Sequence, residues 1–337
     1  MTAARTRTAP MHRQRGAALL TAMIIVTLIA TLASGMVWQQ WRAVQVEVAE
    51  RGQVQAQWIL NGALDWARLI LREDGRTSNV DHLGEPWAVP LAESRLSTFL
   101  AADRNASTDD APDAFLSGTI RDAQARYNLR NLVRDGKVQP VELQTLQRLC
   151  ALVGVSDSVA VQIGEALRLA SPGNSADVGA DTGDTGRSGG IPVLPASIDD
   201  LGWLGLDAIS VRRLQPFVTW LPGITPVNLN TAPKEVIAAV VSSIDLASAE
   251  RLVQSRLRNH LRQVEDARPL LGPGAGLDSA RMSVNTRYFE VDGSMRLEQM
   301  LVAQRSLIER TPQTREVRVL RSVRIRPTAT VGTSLQQ

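Results

Sequence analysis

A single cysteine, Cys150, excludes an intramolecular disulfide, so this chain of 337 residues must stabilise its folded part by packing alone. The spacing Leu146, Leu149, Cys150, Val153 puts the thiol on an apolar helix face, where a cysteine is structural rather than reactive. Histidine is almost as scarce. His12, His82 and His260 are the only three, and none has a metal-ligand neighbour at useful spacing. There is no P-loop, no nucleotide-binding glycine fingerprint and no Gly-x-Ser-x-Gly elbow. Asp109-Asp110 and Asp199-Asp200 read as solvated loop and helix-start carboxylates, not as an acid/base pair. These absences argue against an enzyme. Lysine is nearly missing too, with only Lys137 and Lys234, so arginine carries the positive charge. Four arginines (Arg5, Arg7, Arg13 and Arg15) precede the first apolar run, and without them the formal net charge of +3 becomes −1. No global basic field is left to attract nucleic acid.

What the sequence does have is a long uncharged run. Between Ala17 and Trp41 no side chain is ionisable, and the polar residues of the apolar stretch are Thr21, Thr27, Thr31 and Ser34. A helix of about 22 such residues rises roughly 33 Å, enough to cross a hydrocarbon core of about 30 Å. The arginines ahead of it hold the amino terminus on the cytoplasmic side and send the rest of the chain across. An ordinary secretory signal has an apolar region of about 7–15 residues and a small-x-small cleavage site. Here the run is longer, and Ala33-Ser34-Gly35 is the only late site of that kind.

The junction Arg13-Gln14-Arg15-Gly16, followed directly by Ala17-Ala18-Leu19-Leu20-Thr21, resembles the class III signal of type IV pilins and pseudopilins. That resemblance implies cleavage by a prepilin peptidase between Gly16 and Ala17, with Ala17 as the N-methylated first residue of the mature chain. Most members of the group carry Glu at the fifth mature position; this chain has Thr21. A carboxylate in lipid is costly unless paired, and in the family it pairs with the amino terminus of the subunit above. Thr21 is therefore the mark of a subunit with nothing above it, and the chain is similar to the minor pseudopilin K family of type II secretion systems.

Further along, Ile59, Ala63, Trp66 and Ile70 keep helical spacing beside Leu60, Leu64, Ala67 and Leu71, so the same helix becomes amphipathic and should end at Asp74-Gly75. Residues 86–90 look strand-like, and a polar stretch covers 103–113. A strand ending at Asp122-Ala123 leads to Asn128-Leu129-Arg130-Asn131-Leu132, whose asparagines should satisfy turn backbones rather than bind a ligand. Helices are expected at 141–153, 157–170, 207–221, 233–243 and 247–261. Residues 171–190, rich in Gly, Ser, Asp and Thr, read as a flexible loop. The last third turns to strands: 288–292, then through Gly293 to 296–308, and 316–325 with a bulge at Leu320-Arg321. The tail 327–337 reads as disordered.

The sharpest internal motif is Val227-Asn228-Leu229-Asn230-Thr231-Ala232-Pro233-Lys234-Glu235, with Thr231 as the expected N-cap and Pro233 in the first turn of the next helix. It looks like the Asn-x-Asn-Thr-Ala element of helix-hairpin-helix and SAM-like domains. A DNA-binding hairpin would offer backbone N–H groups to phosphate through a Gly-x-Gly turn, but the turn here is Gly223-Ile224-Thr225, followed by Pro226. Arg251, Arg256, Arg258 and Arg262 could supply a basic face. A DNA-uptake or type IV pilus component is the alternative reading, and a structural or protein-binding role is favoured.

Together these pieces give the K family in order along the chain. The resemblance implies an α+β pilin-like fold, a long transmembrane helix packed on a small antiparallel sheet, with a large inserted all-α domain. The expected divisions are a cleaved leader 1–16, a transmembrane helix 17–40, a first head segment 41–132, a helical insertion 133–270 with a flexible loop 171–195, closing strands 271–326, and the tail 327–337. The implied partners are minor pseudopilins I and J, through them H and the major pseudopilin G, the prepilin peptidase and the bacterial inner membrane, with the globular part periplasmic. Calcium is associated with the family. Asp177, Asp181 and Asp184 are weak candidates for it, because their spacing is not that of an EF-hand.

Overall fold

The structure is a computed structural model that describes residues 15–97, 114–171, 194–297, 300–312, 314 and 316–326, with backbone only for 15–17. The leader before Arg15, the whole polar stretch 103–113, most of the loop 171–195 with its aspartates 177, 181 and 184, and the tail lie outside the described residues. Two compact units divide the chain between Trp58 and Ile59.

Helix α1 runs over Arg15–Thr77. It passes through the expected stop at Asp74-Gly75 because both residues are held from outside: Asp74 pairs with Arg310 at 2.8 Å, and Gly75 lies against the Arg310 side chain. The 86–90 segment is not a strand but a 3₁₀ turn, Pro86–Ala88, that buries Trp87. Short strand β1 (Leu91–Arg95) follows, then β2 (Ala114–Asp122). After a 3₁₀ turn come the two-residue strands β3 (Tyr127–Asn128), β4 (Val133–Arg134) and β5 (Lys137–Val138).

Helices α2 (Pro140–Leu152) and α3 (Asp157–Ala170) agree closely with the expected 141–153 and 157–170. The next expected helix, 207–221, is cut to α4 (Ala208–Leu214) by Pro216, whose ring cannot continue the ladder. The freed chain forms β6 (Val218–Thr219), parallel to β3. Then come β7 (Val227–Asn228), α5 (Lys234–Val240), α6 (Leu246–Arg256), α7 (Arg268–Leu271) and β8 (Met282–Ser283), which pairs in parallel with β7. α5 is shorter than 233–243 at both ends, with Pro233 as its N-cap and Val241, already extended, as its C-cap. α6 stops short of 261, because Leu261 is bound to Asn230.

The chain closes with β9 (Tyr288–Leu297), β10 (Met300–Arg310) and β11 (Val317–Ile325). They join β1 and β2 in one antiparallel sheet of order β1-β2-β9-β10-β11. Gly293 is not the turn the sequence suggests. It stays in the strand opposite Gly118, and a Cβ there would meet Leu60 at 3.3 Å, so its lack of a side chain lets the helix approach. The register of β10 and β11 slips at Leu320, the expected bulge.

Two apolar clusters dominate. Leu64, Ala67 and Leu71 of α1 pack with Trp87, Phe289, Val291, Ile308 and Val317, so the inner face of the helix lies on the sheet. Trp87 meets Phe289 edge to face at 5.3 Å. The larger cluster is helical and draws on residues from Tyr127 to Met282, including Leu146, Leu149, Ile163, Leu214, Val236, Ile237 and Leu252. Cys150 belongs to it, and burial first, then Asp157, push its thiol up to about 12. It is no nucleophile at neutral pH.

Candidate functional site

Two regions carry the residues singled out by the sequence: the exposed first part of α1, and a buried polar seam where the sheet meets the helices.

In the first, Leu19, Leu20, Met23, Ile24, Leu28, Ile29 and Leu32 are all more than half exposed. This is the one helix among the described residues long and apolar enough to cross a membrane. Its hydroxyls cost little in such a setting because they close on their own helix. Thr21 donates to Ala18 O at 2.9 Å, Thr31 to Leu28 O at 2.8 Å and Ser34 to Ala30 O at 2.8 Å. Gly16 and Ala17 lie in the first turn of the helix backbone. At the far end Trp38 and Trp41 stand exposed, with the Arg42 guanidinium 5.7 Å from the Trp38 ring centre, the amphipathic set enriched at membrane–water boundaries.

The seam is built from the two asparagine motifs. Asn128 donates to Gly223 O at 2.7 Å and to Thr225 Oγ1 at 3.0 Å, and its own oxygen accepts from the Leu221 and Arg130 N–H groups. Asn131 holds Thr225 by both amide ends, accepting from its N–H at 3.1 Å and donating to its carbonyl at 2.8 Å. Asn230 clasps Leu261 in the same way, both bonds 2.9 Å. Asn228 donates to Asp81 O at 3.0 Å and to Asp122 Oδ2 at 2.9 Å, joining the turn after α1, the end of β2 and the helical region.

Thr231 is not an N-cap: its hydroxyl donates to Asp122 Oδ2 at 2.6 Å, and Pro233 takes the cap position. With the Gln124 N–H, Asp122 therefore has three donors. Burial still pushes it up to about 6.

One part of the seam left no trace in the sequence. Asp74, Asp81 and Glu85 bring their carboxylates within 4.8 Å of one another. Arg310 supplies the compensating cation, bonding Asp74 at 2.8 Å and Asp81 at 2.5 Å. Burial, then Glu85, push Asp74 up to about 6 in spite of Arg310, and Glu85 is raised chiefly by burial. Glu85 Oε2 accepts from the Trp87 indole at 2.7 Å.

The arrangement joins distant segments of the chain and leaves two of the donors expected to face phosphate already engaged. The Thr225 N–H that a DNA-binding turn would present is given to Asn131. Arg256, expected on a basic face, is buried and donates to Leu229 O, and burial lowers it to about 10. A cavity of about 530 Å³ opens beside the seam, lined by Trp87, Ile120, Pro216 and Pro233 among others. Its arginines 126 and 305 are paired with Glu290 at 2.6 Å and Asp292 at 2.7 Å.

Comparison with known proteins places these features in a family. Residues 125–223 and 227–285 match two family models, each described as type II secretion system protein K. The chain is 30% identical over 300 residues to the type II secretion system protein K of Pseudomonas aeruginosa, covering 82% of this chain and 83% of that one. It is 30% identical over 262 residues to its counterpart in Klebsiella pneumoniae (73% and 76% covered) and 27% identical over 329 residues to that of Aeromonas hydrophila (86% and 93% covered). A chain in the crystal structure of the GspK-GspI-GspJ complex of the enterotoxigenic Escherichia coli type 2 secretion system shares the fold. Its TM-score is 0.60 at 21% identity, over 83% of this chain and 99% of that one.

Proposed function

The chain belongs to the type II secretion system protein K family, and from that premise we propose that it caps the pseudopilus tip as a minor pseudopilin, helping to initiate assembly for protein export across the outer membrane. The observation that carries this reading is Thr21. It sits on an exposed apolar helix, closes its hydroxyl on Ala18, and offers no charge to the amino terminus of a subunit above. The bulk of the helical region supports the same position, since subunits stacked above it would have to accommodate that mass.

In this reading prepilin peptidase cuts between Gly16 and Ala17, and Ala17 becomes the N-methylated first residue. The apolar part of α1 crosses the bacterial inner membrane once, with the leader cytoplasmic and the folded remainder periplasmic. Minor pseudopilins I and J are the direct partners, by analogy with the complex named in the matched structure, and H and the major pseudopilin G are reached through them. The role is structural, with no catalytic step.

The test is the intact mass and amino-terminal sequence of the membrane-extracted protein, with and without prepilin peptidase, followed by co-purification with I and J. A peptidase-dependent start at methylated Ala17 and a stable complex with both partners are expected. An uncut start at Met1, or cleavage near Gly35, would remove the basis for filament assembly. A crosslink placing the protein along the shaft would overturn the tip position.

A further inference from the structure

Two of the three histidines meet face to face. His82 lies on the turn after α1 and His260 on the segment after α6, and their rings stack with centroids 3.9 Å apart and planes 7° from parallel. Both are half-buried. Lone pairs of parallel rings lie in separate parallel planes, so one ion cannot lie in both, and the pair is not a chelate.

In this geometry His82 is neutral. Its Nδ1 accepts the Gly84 N–H at 3.1 Å, which places the ring proton on Nε2, 4.0 Å from Glu85 Oε1. A second proton would turn that acceptor into a donor aimed at another N–H. The stack also touches both sides of the seam. The residue after His260 is Leu261, clasped by Asn230, and the residue before His82 is Asp81, bound to Arg310 and to the Thr286 N–H.

We propose that the His82–His260 stack is an acid-sensitive latch between the sheet region and the helical region, closed while both imidazoles are neutral and released when both are protonated. Its charged surroundings set the order of events. Asp74 at the end of α1, with Asp81 and Glu85 on the turn, faces His82, and Arg310 from β10 is already engaged by Asp74 and Asp81. On the other side Arg262 follows His260, and Arg262 and a charged His82 both disfavour charge on His260. The acidic neighbours let His82 accept the first proton. A second proton on His260 then sets two cations face to face, and the rings separate. Burial holds both histidines below the ordinary value of 6.5, so the native state takes up these protons later than the unfolded chain does.

The test uses the full chain in detergent, comparing wild type with His82→Asn and His260→Asn. NMR of labelled imidazoles should show both wild-type histidines titrating below 6.5, and removing His82 should raise the His260 midpoint by about one pH unit. Hydrogen exchange in 79–86 and 257–263 should speed up about tenfold more in wild type than in either variant between about pH 7.5 and pH 5, after correction for intrinsic exchange. The buried carboxylates titrate in all three proteins and cancel from the comparison. Ordinary titration of both histidines, or the same exchange response in wild type and variants, overturns the latch. Should one variant fail to fold, the other and the wild-type titration still decide.

Discussion

Asp122 and Arg310 are two of the side chains that tie distant parts of the chain together, and their charges behave oppositely. Asp122 is buried with three donors around it and is raised from 3.8 to about 6. Between those values the native state holds a proton that the unfolded chain has released. The contribution of Asp122 to stability is therefore fully present below 3.8 and is lost as pH rises through about 6. Asp122→Asn should lack that loss, so its unfolding free energy should gain on wild type as pH rises across that window, measured by urea melts at several pH values. Among the described residues Arg310 is the cation paired within the Asp74, Asp81 and Glu85 cluster, and its guanidinium also lies 4.9 Å from the Phe289 ring centre. Arg310→Met should cost about 3–5 kcal/mol near neutrality, because it strands buried carboxylates. Part of that loss should return as pH falls and the carboxylates take up protons, a recovery that denaturant midpoints would show. If the loss were the same at every pH, the ion pairs would not be its source.

At the scale of elements, α1 and the sheet meet where glycine permits it. Gly118 stands opposite Gly293 across β2 and β9, and a Cβ on Gly118 would sit 3.0 Å from the Asp292 carbonyl oxygen. Gly118→Val should therefore destabilise by about 1–3 kcal/mol through overpacking. Gly62, within α1, has nothing within 4 Å, so Gly62→Ala should instead be neutral or add about 0.5–1 kcal/mol from helix propensity. Thermal unfolding of the two variants side by side separates a glycine required by close approach from one that is only tolerated. The same element shows why boundaries were harder to read than elements. Asp74-Gly75 is a helix stop by local rules, yet Arg310, 236 residues further on, holds that turn helical. Pro216 acted as its chemistry dictates, but its effect was to free the next residues for a parallel pairing with β3, which no local pattern announces.

For the molecule as a whole, the order of its parts was legible in the sequence. The apolar run, the two helices at 140–152 and 157–170, the three closing strands and the bulge at Leu320 all follow from charge, periodicity of 3.6 or 2 and turn chemistry. Family membership was legible too, since the family read from short motifs in a fixed order is the one the relative of 30% identity belongs to. The partners of the motif residues were not. Asn228 reaches Asp122 across 106 positions and Thr231 reaches it across 109, and a hydrogen bond between such distant groups leaves no periodic trace. Thr231 satisfies the local rule for an N-cap, and the tertiary fold gave its hydroxyl to a buried carboxylate instead. His82 and His260 have no sequence relation at all, and only the meeting of two loops made them a pair. The sequence by itself determined which segment suits a membrane, because an uncharged run of about 22 residues is most stable in an apolar solvent. Tertiary structure alone decided which polar groups are buried together, because that depends on how distant segments pack rather than on what any one of them contains.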